Sequence, residues 1–414
     1  MSRARGLLKL TSVRIVLFVF LVLLLIAWPA HTFVLRSSSF QHLVHPVPDR
    51  DILLHSPLFT TLDPGQSRTL SISEEAVDAL CQAHHFPAWH KPGRKVYDLV
   101  LITNELDWLE IRLHTLAPYV DYFVVVESTI TFTGIEKELV LQNNWDRFKE
   151  FHHKIIHHIV EAKPATSKDW DAWDHEAAQR NAMLTDVFPQ LVGSEKEAKK
   201  GDVILVSDLD ELVRPETAIL LRHCDYPARL TIRTRFFYYA YQWRYHNGDW
   251  SHPQATTYGG SVGGTILPQA LRTASPDRND PWSWSNTAEA KLQAVQSTSA
   301  SLHDGGWHCS SCYKTIGQVQ RKIIGFSHTN WNTEENRDPA TIIHRYKNGL
   351  DLFGREDELY DKTSVTDVPE YVSDQFNATG RFGYLLDRTT KYAEFEDAED
   401  MLTVLHGNVT SKID

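Results

Sequence analysis

The feature that most constrains this chain is an alternation, beginning at Lys95, of short apolar runs with helix-spaced leucines. Tyr97 to Ile102 is a nearly continuous apolar run closed by Thr103 and Asn104, which predicts a buried strand. Asn104 stands where a helix N-cap is expected, because Leu106, Leu109, Leu113 and Leu116 follow at helical spacing. Tyr122 to Val126 gives a second buried strand, ending at Glu127. Trp145 to Phe151 reads as helix, Lys154 to Val160 as strand, and Trp170 to Phe188 as a longer helix stopped by Pro189. Val203 to Val206 supplies a fourth strand that runs straight into Ser207-Asp208-Leu209-Asp210-Glu211, and Pro215 suits the first turn of the next helix. This order predicts an α/β fold: a mostly parallel, Rossmann-like sheet with flanking helices. Residues 229–265, richer in aromatics and glycine, are expected to add antiparallel strands.

Ahead of this domain, Ile15 to Trp28 is an unbroken apolar run preceded by Arg3, Arg5, Lys9 and Arg14, with no acid before Asp49. A cleaved signal peptide shares that basic flank. Bulky side chains throughout the run and Pro29 at the nearest small-residue site favour retention. Residues 15–35 reach about 21 positions, near the roughly 20 needed to span the hydrocarbon. The positive-inside rule then leaves 1–14 as a cytosolic tail and everything after Arg36 in the lumen. Sequons at Asn377-Ala378-Thr379 and Asn408-Val409-Thr410 agree with a luminal location. Residues 36–94 read as a stalk or N-terminal extension, 95–350 as the catalytic domain and 351–414 as a C-terminal extension.

With 42% hydrophobic and 23% charged residues, the chain can bury a core and is too weakly charged for a disordered protein. A net charge of −11 argues against a nucleic-acid partner, which would need a Lys/Arg surplus. Four cysteines exclude a disulfide-dense scaffold.

Ligands of open α/β sheets bind beyond the carboxyl ends of the strands. Three places qualify: Thr103 to Glu105, Glu127 with Ser128, and Asp208, Asp210 and Glu211. Two carboxylates on a turn that leaves a buried strand can hold a hard divalent cation against a diphosphate, although the same pattern also occurs in plain solvated turns. No G-x-G-x-x-G follows the first strand and no P-loop occurs. Cys309-Ser310-Ser311-Cys312 lacks the second ligand pair a zinc site needs, since Cys81 and Cys224 form none; it reads as a local disulfide or two buried thiols. His152, His153, His157 and His158 alternate between the faces of a strand and do not converge on one ion.

The motifs Asn104 to Leu113, Val120 to Ser128, Thr131 to Gly134, Gln179-Arg180-Asn181, Ser207 to Glu211 and Gly306 to Cys312 together resemble glycosyltransferase family 17, the β-1,4-mannosyl-glycoprotein 4-β-N-acetylglucosaminyltransferase family. The resemblance spans roughly residues 96 to 350. It implies a GT-A fold, inverting transfer of GlcNAc from UDP-GlcNAc to a mannose of an N-linked glycan, Mn²⁺ or another divalent cation, and a Golgi-type membrane anchored as type II. Its matched motifs place Asn104, Glu105, Arg180, Asn181, Asp208 and Trp307 around the donor. Asp208, Asp210 and His308 are the candidate metal ligands, with His328 an alternative imidazole. Glu211, Asp304 and Glu127 are candidates for the general base that activates the acceptor hydroxyl. Trp307 either stacks on a sugar face or belongs to the core. The chain departs from the family pattern where Glu211-Leu212-Val213-Arg214-Pro215 stands in place of Glu-Ile-Pro, which leaves the acceptor open. Rival readings are a transferase with another acceptor or UDP-sugar, a metal-free glycosidase, and a non-catalytic lectin-like membrane protein.

Overall fold

The computed structural model describes residues 73–162, 171–274 and 295–403, with backbone at 44–45. The expected anchor at 15–35 therefore lies outside the described residues, as does the Asn408 sequon; no helix among the described residues is long and apolar enough to cross a membrane.

The described residues between 73 and 403 form one compact unit built on two sheets. In the larger sheet, β1 (Val96–Leu101) is central, flanked in parallel by β2 (Tyr122–Ser128) and β4 (Val203–Asp208), with β3 (Ile155–Val160) beyond β2. On the other side β9 (Gln254–Thr257) runs antiparallel between β4 and β6 (Arg229–Ile232), and β10 (Ser299–Leu302) lies parallel to β6. The antiparallel strands expected in 229–265 are β9 here and, in the smaller sheet, Arg235–Tyr238 paired with Ala240–Tyr245.

Period-two alternation divides the apolar strands between two cores. Val96, Val100, Phe123, Val125, Val203 and Leu205 face α2 (Leu106–Leu116) and α4 (Pro215–His223). Tyr97, Leu99, Val124, Val126, Ile204 and Val206 face Met183 and Leu184 of α3 (Ala172–Thr185). Burial on both faces is why these strands read as continuous apolar runs and not as alternating ones.

Several boundaries differ from the sequence reading. The N-cap of α2 is Glu105, not Asn104, and no side chain caps it; the Glu105 carboxylate instead accepts from the backbone N–H groups of Thr103 and Asn104 at 2.9 and 2.8 Å. Trp145–Phe151 is a 3₁₀ segment. Helix α3 is shorter at both ends than Trp170 to Phe188, and Pro189 lies inside a separate 3₁₀ turn, Phe188–Leu191.

The smaller sheet has the order β12 (Tyr360–Lys362), β8 (Ala240–Tyr245), β7 (Arg235–Tyr238), β11 (Gly306–Ser310), β5 (Glu211–Val213). Beside it, α6 (Ile316–Gly325) and α7 (Pro339–Asn348) cover an aromatic core containing Tyr238, Tyr239 and Tyr346.

The described parts of both presumed extensions, 73–94 and 351–403, pack into this unit. Helix α1 (Glu74–Ala83) is joined to the end of α4 by a disulfide between Cys81 and Cys224, and Trp89 N–H donates to the His223 carbonyl at 2.7 Å. The cysteines that form no zinc pair form a covalent staple. At the other end, Val372 of α8 (Glu370–Thr379), Phe382 and Leu385 belong to the main core. Tyr371 stacks on His114 of α2 with ring centroids 4.0 Å apart. Glu110 of α2 accepts from Arg147 Nη2 at 2.6 Å, from Tyr371 Oη at 2.8 Å and from both terminal nitrogens of Arg381.

Two outcomes follow for stability. Replacing Cys81 and Cys224 together with Ser opens a crosslink between residues 143 apart and should cost about 2–5 kcal/mol; a lower Tm and faster proteolysis near α1 under non-reducing conditions check this. Burial alone would raise the Glu110 pKa, but hydrogen bonds from Arg381, Arg147 and Tyr371 pull it from 4.5 down to about 2. The native state therefore binds fewer protons than the unfolded chain between those values. This stabilisation is complete above about pH 4.5 and is lost as pH falls towards 2. Glu110→Gln should be less stable at pH 7 and show a shallower loss of stability on acidification, read from denaturation midpoints across that range.

Candidate active site

A cleft of about 470 Å³ opens where the carboxyl ends of β1 and β4 meet one face of the smaller sheet. Parallel pairing sets Leu101 opposite Asp208, so the chain leaves both strands at one edge and Asn104, Glu105, Asp208 and Asp210 line the same cavity. The smaller sheet completes the wall through register. His308 of β11 pairs with Glu211 of β5 on one side and with Phe236 of β7 on the other, which brings its imidazole over the Asp208–Glu211 turn.

The turn itself is held from below. Arg112 of α2 is fully buried, makes two hydrogen bonds to Asp98 of β1 at 2.6 and 2.7 Å, and donates to the Glu211 carbonyl at 3.0 Å and to Ser207 Oγ. Arg272, the last residue of α5 (Pro268–Arg272), reaches in from above. Its Nη1 and Nη2 donate to the two Glu211 carboxylate oxygens at 2.7 Å each, and Nη2 also meets Asp208 Oδ2 at 2.6 Å. The other Asp208 oxygen accepts from Arg180 Nη2 at 3.2 Å. Arg180 in turn bonds Glu176 at 2.8 Å and Gln269 at 2.6 Å.

Glu211 is completely buried and also accepts from Trp250 Nε1 and from the Asp208 N–H. Burial works against its charge, yet Arg272 overrides burial and holds the carboxyl well below the usual range. A carboxylate this occupied is a weak proton acceptor and serves to fix Arg272 and the turn. Asp210 is the opposite case. Its carboxylate takes no hydrogen bond from the described residues, and burial, with Asp208, Glu211 and Glu105 adding to it against Lys322, pushes its pKa up to about 7. His308 Nε2 stands 3.7 Å from Asp210 Oδ1. Burial lowers the His308 pKa to about 3, so at neutral pH the imidazole is uncharged. Its ring lies parallel to Phe236 at 4.8 Å, which fixes its plane.

A neutral imidazole beside a carboxylate without a donor is a pair that could accept a divalent cation, with remaining positions left to phosphate oxygens and water. Among the described residues no group of three or more His, Cys, Asp or Glu side chains makes a ready-built cage. His328 lines the cleft but stacks on Trp331 at 4.4 Å.

Four other candidates fall outside the cleft. Glu127 is buried in β2, where it accepts from the N–H groups of Leu141 and Gln142 and pairs with His157 at 2.7 Å. Asp304 is held by Arg214 and Arg235 on the opposite face of the smaller sheet. Trp307 follows the strand alternation away from His308, is buried, and carries the Arg214 guanidinium 4.2 Å above its ring, so it is core. Asn181 accepts from the Gln269 N–H at 2.9 Å, satisfying an orphan donor of α5 and thereby locating Arg272. Cys309 and Cys312 form a disulfide, leaving no thiolate. Arg272, Trp250 and Glu176 escaped the sequence reading; none sits in a motif, and the only signal would have been the need of a buried Glu211 for a cation.

The chain matches the family model for glycosyltransferase family 17 over residues 9–260 and 281–395. Among curated proteins, the human β-1,4-mannosyl-glycoprotein 4-β-N-acetylglucosaminyltransferase is 24% identical over 309 residues, covering 71% of this chain. The rat protein of the same name is 23% identical over the same length. The chain spans about half the length of these relatives, 55% in each case. Since the family match covers most of the chain, the protein belongs to glycosyltransferase family 17.

Proposed function

We propose that this chain is an inverting GT-A-type transferase that moves GlcNAc from UDP-GlcNAc to a mannose of an N-linked glycan. The family and the names of the curated relatives support the chemistry and the substrate class. The observation that carries the reading is the division of charge at the strand edge. Asp208 and Glu211 are matched by Arg180 and Arg272, while Asp210 is left without a cation and faces a neutral His308. Asp210 and His308 are the side chains that would hold a Mn²⁺ ion, with Asp208 behind them. Such a cation, when bound, offsets the negative charge that develops on the leaving diphosphate. Arg272 and Arg180 orient Asp208, and Trp250, packed on Phe236, donates its indole N–H to Glu211. Residues 15–35 are proposed as a type II anchor that places the domain in the Golgi lumen, on the strength of the basic flank and apolar run.

Asp210→Asn should lower GlcNAc transfer about 10²–10³-fold, the usual cost of losing one electrostatic stabiliser of a transition state. Its Tm should stay level or rise, because a buried unpaired charge disappears. Transfer assays with a UDP-sugar panel and a mannose-terminated glycan, run beside thermal melts, test both halves; near-normal transfer would exclude the site. Arg272→Met leaves Glu211 buried without its cation and should destabilise the fold by about 3–5 kcal/mol. Adding Glu211→Gln to Arg272→Met should recover most of that loss. Equal denaturation midpoints for wild type and Arg272→Met would show the pair to be energetically idle.

A further inference from the structure

The smaller sheet has a second cavity, of about 440 Å³, which lies outside the transfer cleft. Strand alternation separates the two: Phe236 and Tyr238 of β7 and Tyr245 of β8 line the cleft, whereas Arg235, Phe237 and Arg244 line the second cavity. Its volume falls within the roughly 300–1,000 Å³ typical of small-ligand sites.

Charge in this cavity is matched. Asp304 accepts from Arg214 at 2.8 Å and from Arg235 at 2.7 and 2.8 Å. Asp367 binds Arg214 through both oxygens at 2.9 and 2.7 Å and meets Arg235 at 2.8 Å. Arg244 pairs with Asp249 at 2.5 Å. Arg214, Arg235 and Arg244 thus balance Asp249, Asp304 and Asp367 one for one, which favours neither an anion nor a cation.

The groups are rigid and still partly open: Arg235 is 36% exposed, Asp304 29% and Asp249 26%. Their remaining lone pairs and N–H groups, with the hydroxyls of Thr363, Ser364 and Thr366, form a fixed array of donors and acceptors beside the Phe237 ring. Tyr241 also lines the cavity, is fully buried, and its hydroxyl has no hydrogen-bond partner among the described residues. An orphan hydroxyl of this kind is costly unless something else satisfies it. The backbone is committed to the arrangement as well. Asp304 adopts a left-handed φ of 50°, and a Cβ at Gly305 or Gly306 would run into Ile232 or the Leu212 carbonyl, so neither glycine can be replaced without a shift of the loop.

We propose that this cavity is a second binding site, for one neutral pyranose unit of a glycan. Paired Arg and Asp groups, with the exposed hydroxyls of Thr363, Ser364 and Thr366, bind adjacent sugar hydroxyls as donor and acceptor, while the buried Phe237 ring, covered by the Arg244 guanidinium, forms the floor beneath them. The site does not depend on the transfer reading, because it shares no lining residue with the cleft.

The test uses the full chain saturated with UDP and titrated with mannotriose, chitotriose and inorganic phosphate, by calorimetry or saturation-transfer NMR. One of the oligosaccharides should bind. Ser364→Trp, which fills the cavity from an exposed position, should weaken that binding by about tenfold or more, equivalent to about 1.4 kcal/mol, with Tm and UDP affinity unchanged. Asp249→Asn should weaken it in the same direction and serves if the tryptophan variant does not fold. Failure of both oligosaccharides to bind, equal oligosaccharide affinity in both variants, or displacement of the sugar by phosphate would overturn the proposal. Absence of UDP binding to the wild type would count against the transferase reading alone.

Discussion

The contact between Arg112 and Asp98 is the one on which the cleft rests. Both side chains are 0% exposed, so each charge has been taken fully out of water. That is tolerable only because every strong donor of Arg112 is used: two on Asp98, the others on Ser207 and on carbonyls of Leu209 and Glu211. Removing one partner of such a pair typically costs about 3–5 kcal/mol, more than most single contacts contribute. The pair joins a central strand to α2 and, through the carbonyls, sets the height at which the Asp208–Glu211 turn leaves the sheet. A turn in that position would otherwise be free to follow solvent. Here its backbone is fixed before any ligand arrives, which is the condition for electrostatic preorganisation.

Above the turn, the same logic operates with different residues. A fully buried Glu211 needs a cation, and Arg272 supplies one with bidentate geometry that a lysine could not reproduce. Arg272 is held in turn by the placement of α5, which Asn181 and Arg180 of α3 fix through Gln269. The motif Gln179-Arg180-Asn181 therefore acts at one remove: its polar groups locate a short helix whose last residue does the electrostatic work. Once Asp208 and Glu211 are matched, Asp210 is left without a directly paired cation, and burial first, with its carboxylate neighbours adding to it, raises its pKa.

The parallel half of the fold was legible because its signal is local. Runs such as Tyr122 to Val126 are buried on both faces, and period-two patterning is then replaced by unbroken apolarity that needs no partner to be recognised. The Asp208–Asp210 turn was legible for the same reason, since a buried strand running into two acids is a local pattern. What failed was everything set by pairing between distant segments. Asp304 and Trp307 shortly precede His308 in sequence, yet only His308 reaches the cleft: alternation along β11 turns Trp307 to the other face, and Asp304 lies in the loop before the strand, where Arg214 and Arg235 hold it. Glu127 ends an apolar strand just as Asp208 does, but His157 on β3 claims it. The Cys81–Cys224 staple joins residues 143 apart, a relation no spacing rule reveals.

The smaller sheet makes the division of labour a geometric necessity. A strand in a single sheet offers two faces, and β7 uses both: Phe236 supports the His308 imidazole on one, while Arg235 holds Asp304 on the other. Because β11 pairs with β7 in parallel and with β5 antiparallel, its register cannot slip by one residue without exchanging His308 for Trp307 in the cleft. Arg214 guards that register. It stacks on Trp307, bonds the carbonyl and carboxylate of Asp304, and pairs with Asp367 from the C-terminal segment. Residues beyond 350 are therefore part of what positions His308, and the domain cannot be closed at that point without loosening the strand that carries it.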